Sequence, residues 1–223
     1  HAAGPRLSRG PLLMSAFTAD IALFLMAYAL VFAVRVLVPC LLARAYLDAP
    51  LAAGLRLAII PVAISLLAPV SGILYDRMGP RTPTLLGMLV CLAGLALLYV
   101  AMGLAHDGLM LVMVALGVFG IGQGLFTAAN NTSIMAAAPP QLTGEAGGIL
   151  NVTRAFGISL GIAAASALLS WRLAALGEAG GSTVHVAPAD MLIAAREVVL
   201  ALMPFAVAAA LASALPKGRS GTG

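Results

Sequence analysis

Gly72-Ile73-Leu74-Tyr75-Asp76-Arg77-Met78-Gly79-Pro80-Arg81 is a short charged segment wedged between two long apolar runs. On either side the chain stays apolar for roughly the 20 residues that a helix needs to cross a hydrocarbon core. The pattern repeats along the chain. Six runs of this kind can be marked, at 19–39, 51–74, 83–104, 109–129 (or as far as 137), 146–169 and 191–215. They are long and continuous and lack the period-two alternation of barrel strands, so each is read as a membrane-crossing helix. The charged segment is then the turn between the second and third helices.

Composition agrees. The chain is 62% hydrophobic and 9% charged, against about 25% charged in an ordinary soluble domain. Its mean hydropathy is +1.07. No soluble core could hide that much apolar surface, so lipid is the solvent. The net charge of +4 does not indicate nucleic-acid binding. The basic residues gather at the ends of apolar runs, without the aromatic-interleaved patch of a nucleic-acid surface. Cys40 and Cys91 follow no spacing motif and read as small membrane hydrophobes. With three histidines and no His/Cys cluster, neither a metal nor another cofactor is implied. No nucleotide-binding loop or catalytic triad is present, and Ser170 and His185 have no catalytic companion, so an enzyme is not expected. The first residue is His and no signal sequence precedes the first run, which reads as a chain cut from something longer.

Orientation follows the basic residues. With the N-terminus inside, Arg6, Arg9, Arg77, Arg81, Lys217 and Arg219 are cytoplasmic and only Arg44 and Arg172 lie outside. Six against two puts both ends of the segment on the cytoplasmic face. Arg35, Arg56 and Arg196 fall near the expected outer helix ends, where they can snorkel to headgroups. Arg154 is deeper and must face protein or water. The stretch 171–190 contains Gly177, Gly180, Gly181 and Pro188 and reads as a flexible loop. Three glycosylation-like triplets, starting at Asn130, Asn131 and Asn151, lie in or beside helices toward the inner face and are rejected.

In the turn itself, glycine lets two backbones approach. Asp76 could cap a neighbouring helix N-terminus, and Arg77 and Arg81 could pair with carboxylates or lipid phosphates. An ordinary positive-inside turn would carry the same charges. The pattern Gly72, Asp76, Arg77, Gly79, Arg81 closely resembles the cytoplasmic loop motif of the major facilitator superfamily, which joins the second and third helices of each six-helix half. It departs in Tyr75, where a small residue is usual, and in Pro80-Arg81 in place of a basic pair. Such departures are common in the copy carried by the second half. Further stretches agree: Ala53-Gly54-Leu55-Arg56-Leu57 with Pro61, Gly117-Val118-Phe119-Gly120-Ile121-Gly122-Gln123-Gly124, and Ala146-Gly147-Gly148-Ile149-Leu150-Asn151-Val152-Thr153-Arg154 leading into Gly157 and Gly161. Together they resemble the C-terminal half of the 14-helix drug:proton antiporter branch.

Gly117, Gly120 and Gly124 lie near one helix face and permit close packing, as do Gly157 and Gly161. Packing alone explains these glycines as well as substrate contact does. The polar residues Gln123, Asn130, Asn131, Asn151 and Arg154 must turn away from lipid. They are candidates for a cavity or gate, or else for structural hydrogen bonds. Glu197 is the candidate proton site, with pairing to an outer arginine as its alternative. Asp20 reads as a cap or interface residue.

The fold expected is an all-α bundle of six transmembrane helices, half of a major facilitator fold with a 3+3 inverted repeat. The resemblance implies proton-driven efflux of drugs or other hydrophobic or cationic compounds by alternating access, in the cytoplasmic membrane. The partners would be lipid, a small-molecule substrate, protons and a missing N-terminal half. The alternatives are a sugar or metabolite carrier of the same fold, a six-helix protein that dimerises, and a membrane scaffold or sensor.

Overall fold

The computed structural model describes residues 9–104, 108–137, 143–177 and 186–214, with the backbone alone over 9–24. Helices α1 (Arg9–Arg44), α2 (Pro50–Leu57), α3 (Ile59–Met78), α4 (Arg81–Gly103), α5 (Leu109–Ala137), α6 (Thr143–Ala175) and α7 (Pro188–Ala214) make up the described chain. There is no strand among the described residues. α2 and α3 share one span, Pro50–Met78, which leaves six segments long and apolar enough to cross a membrane.

Two expected ends move. α1 does not stop at Pro39 but continues to Arg44. Proline costs a helix one hydrogen bond, whereas unwinding the chain in hydrocarbon would strand several backbone groups. Similarly, α3 runs on to Met78, so Tyr75, Asp76 and Arg77 form its last turn rather than a loop. Residues 178–185 of the loop expected over 171–190 lie outside the described residues, and helices take both of its ends, α6 extending to Ala175 and α7 starting at Pro188. The break at Ala58 has a local cause. Pro61 has no N–H for the carbonyl of Leu57, and its ring crowds that carbonyl. The ladder resumes at once, with Ala58 N–H on Gly54 O at 3.1 Å and Val62 N–H on Ala58 O at 3.1 Å.

Helix contacts repeat in pairs. The third span packs on the fourth (α4 on α5) as the sixth packs on the first (α7 on α1). The second packs on the fourth (α3 on α5) as the fifth packs on the first (α6 on α1), and α4 meets α7 at the centre. Exchanging first with fourth, second with fifth and third with sixth maps these contacts onto themselves. This is the signature of a 3+3 repeat. The core runs through Leu37, Leu41 and Leu42 of α1, Leu95 and Leu98 of α4, Leu116 and Phe119 of α5, Leu173 of α6 and Val198 of α7.

Close approach replaces the hydrophobic effect as the packing device in lipid. A Cβ on Gly122 would lie 2.5 Å from Cys91 N, and one on Gly87 would lie 2.6 Å from Phe126 N. α4 and α5 therefore touch backbone to backbone. The second and fifth spans, which exchange under the repeat, are the most open. Only 11% and 28% of their apolar windows are buried, against 39% or more in the other four.

Candidate functional site

The motif residues sit at the C-terminal end of α3 and the turn into α4. Gly79 makes the turn: its φ of +77° is a conformation that side chains resist. Its N–H bonds Tyr75 O at 2.8 Å, and the Thr84 hydroxyl donates to Pro80 O at 2.6 Å to start α4. Gly72 plays no such part, since a Cβ there would meet nothing within 4 Å. Asp76, Arg77 and Arg81 are exposed. Asp76 does not cap α4, whose N-cap position is Pro80 with no side-chain bond. Asp76 lies instead in the last turn of α3.

The polar set divides. Gln123 and Asn130 of α5 are enclosed, at 7% and 0% exposure. By helical angle they fall between the α5 face toward α3 (Gly120, Gly124) and the face toward α4 (Gly122, Phe126). Both heteroatoms of the Asn130 amide, Gln123 Oε1 and Asn131 Oδ1 lack a hydrogen-bond partner among the described residues. Each such buried group costs about 1–3 kcal/mol. Asn151 is exposed on α6, and Arg154 is half-buried against α1.

Glu197 meets Arg172 across α7 and α6 in an ion pair. The pair borders a cavity of about 320 Å³ lined also by Leu168, Trp171, Leu200 and Ala201. The other ion pair among the described residues joins Arg56 to Asp48, at the N-terminal end of the second span. Arg196 lies 4.3 Å from the ring centroid of Tyr99 on α4. Arg56 and Arg196 are thus held by protein partners rather than by headgroups alone. Arg35 lies nine residues before Arg44 on α1, about 14 Å along the helix.

Sequence reading missed one grouping. Tyr28 and Phe32 of α1 stack with centroids 6.4 Å apart and 16° between planes. Arg154 of α6 lies 5.4 Å above the Tyr28 ring, and Arg35 lies 5.0 Å above Phe32. The spacing Tyr-x3-Phe-x2-Arg puts all three α1 residues on one helix face, which was the available signal. The glycines on this side are close-packed: a Cβ on Gly157 would lie 2.9 Å from Leu25 O, and one on Gly161 would collide with Ala29 O. Gly120 and Gly124 press as tightly on α3, whereas Gly117 makes only ordinary contact with Ile59, at 3.6 Å.

Comparison with known proteins supplies the context. The sequence profile of the Major Facilitator Superfamily matches residues 21–187, which is most of the chain. The riboflavin transporter RibZ of Clostridioides difficile is 36% identical over 59% of this chain and 28% of its own length. The multidrug resistance protein Stp of Mycobacterium tuberculosis is 34% identical over 57% of this chain and 23% of its own. The methylenomycin A resistance protein of Streptomyces coelicolor is 34% identical over 54% and 25%. The matched segment therefore spans only about a quarter of each relative.

Proposed function

This chain belongs to the Major Facilitator Superfamily, and from that premise we propose that it is the C-terminal six-helix half of a secondary transporter. The intact protein exports small hydrophobic organic compounds across the cytoplasmic membrane in exchange for protons. The observation that carries this reading is the pairwise contact pattern of six spans, in which the two exchanging spans are left open. Such open faces suit a second six-helix body rocking against the first around a shared pathway. The names of Stp and the methylenomycin A resistance protein support export. That of RibZ favours a second reading, carriage of a metabolite by the same fold.

In this reading the segment's ends are cytoplasmic. Asp76, Arg77 and Arg81 contact the other half where the pathway closes on that side. Glu197 is the proton-exchanging acid of this half, and taking up a proton would release Arg172.

The test is the size of the native polypeptide, by blotting source membranes with an antibody to the segment around Lys217. A band at about twice 22.4 kDa or more is expected. A band at 22.4 kDa would overturn the half-transporter reading in favour of a dimer of six-helix chains.

A further inference from the structure

Arg35 and Arg154 both lie within spans long and apolar enough to cross a membrane, and neither is in an ion pair among the described residues. Arg35 is nine residues before the end of α1. Arg154 is seven residues into the span Gly147–Ala175. The described carboxylates are placed elsewhere. Asp48 and Glu197 have their own arginines, and Asp76, Glu145 and Asp190 lie in helix end turns. An arginine within such a span is costly unless it faces protein, water or a counter-charge.

The two cations are joined by aromatic rings. Arg154 sits over Tyr28, within reach of its hydroxyl, and Arg35 also acts electrostatically on that oxygen. Tyr28 stacks on Phe32, which lies under Arg35. Tyr28, Phe32 and Arg35 form a half-buried stripe of α1. The opposite face, at Leu30, Ala33, Leu37 and Leu41, is sealed in the core. A guanidinium that lies over a ring uses its face. Arg154 can turn one N–H to the Tyr28 hydroxyl, and the remaining in-plane donors of the two guanidiniums stay available to a carboxylate. The stripe thus offers apolar ring surface and two forks of donors, with no acid beside them among the described residues.

We propose that the Tyr28–Phe32 stripe between Arg35 and Arg154 binds planar aromatic compounds that carry an acidic group. The aromatic body packs on the rings, and the acid pairs with a guanidinium. This deepens the transport reading and rests on it for the claim that the ligand is cargo. It replaces the cationic substrate implied by family resemblance, because a cation here would face two guanidiniums. A lipid phosphate could pair with a guanidinium but brings no planar body to cover the rings.

Fluorescein and tetramethylrosamine share a planar xanthene core, the first anionic and the second cationic. Binding of each to the native polypeptide, in phosphatidylcholine nanodiscs, is followed by fluorescence polarisation. Fluorescein is expected to bind about tenfold more tightly, the yield of one charge-assisted contact. Arg35→Gln and Arg154→Gln should each remove that preference, while Arg35→Lys and Arg154→Lys retain most of it. Equal or tighter binding of tetramethylrosamine, or undiminished fluorescein binding by both Gln variants, overturns the site. If a Gln variant fails to reach the membrane, the wild-type preference and the Lys variants decide. Uptake by everted vesicles under a proton gradient separates the two readings. Fluorescein bound but not moved keeps the site and removes transport. Tetramethylrosamine moved while fluorescein is neither bound nor moved removes the site and keeps transport.

Discussion

Asp76 occupies a position that local electrostatics disfavours. In the last turn of α3 it adds negative charge to the negative end of the helix dipole, at a cost of about 0.3–1 kcal/mol. It is exposed and belongs to neither ion pair among the described residues. Nothing among the described residues rewards it, so under the proposed function its reward lies in the intact transporter. Asp76→Asn is expected to leave membrane abundance near wild type and to impair transport by the intact protein. Blotting and vesicle uptake on one preparation check this, and equal losses in both would reduce Asp76 to a folding role. The two motif glycines separate in the same way. Gly79→Ala forces a side chain onto φ +77°, costing about 1–2 kcal/mol, and should lower abundance. Gly72→Ala meets open space and gains about 0.5–1 kcal/mol of helix preference. Any transport loss it causes would therefore come from a surface met in the intact protein.

At the scale of elements, the crossing of α4 and α5 depends on Gly87 and Gly122 more than on any large side chain. Gly122→Ala should destabilise the protein by about 1–3 kcal/mol through overpacking, since its Cβ would press on Cys91 N at 2.5 Å. Gly117→Ala, with 3.6 Å to Ile59, should stay within about 0.5 kcal/mol of wild type. Thermal unfolding of the two variants in detergent compares them, and equal shifts would contradict the packing. Position along the chain could not rank these glycines. The six spans were legible because lipid forces long apolar helices. Their ends were not, because the same medium carries α1 past Pro39 and keeps Tyr75–Arg77 helical. Faces were harder still. A helix that is apolar all round has no periodic stripe to show which side meets a neighbour. Gln123 and Asn130 were legible as inward-facing, but their enclosure between α3 and α4 was not. The grouping of Arg35 with Arg154 was not legible either, because it depends on how α6 packs on α1.

For the whole molecule, the decisive question is what covers the second and fifth spans. Leu66 and Val70 of α3 and Phe156 and Leu160 of α6 are exposed, as are Leu86 and Leu89 of α4. Exposure alone does not distinguish lipid from protein as the neighbour. The repeat does, because the second and fifth spans exchange under it and are together the least buried, as two edges of one docking face would be. Single cysteines at Leu66, Phe156 and Leu89, with Cys40 replaced, should therefore behave differently in the intact protein. Leu66→Cys and Phe156→Cys should react slowly with a membrane-permeant maleimide, and their rates should change when substrate shifts the rocking equilibrium. Leu89→Cys should react at one rate throughout, because its neighbour is always lipid. If all three react alike and ignore substrate, the second and fifth spans face lipid and the six helices work without a second body. Slow but substrate-independent reaction at Leu66 and Phe156 would mean a fixed interface, such as a dimer that does not rock.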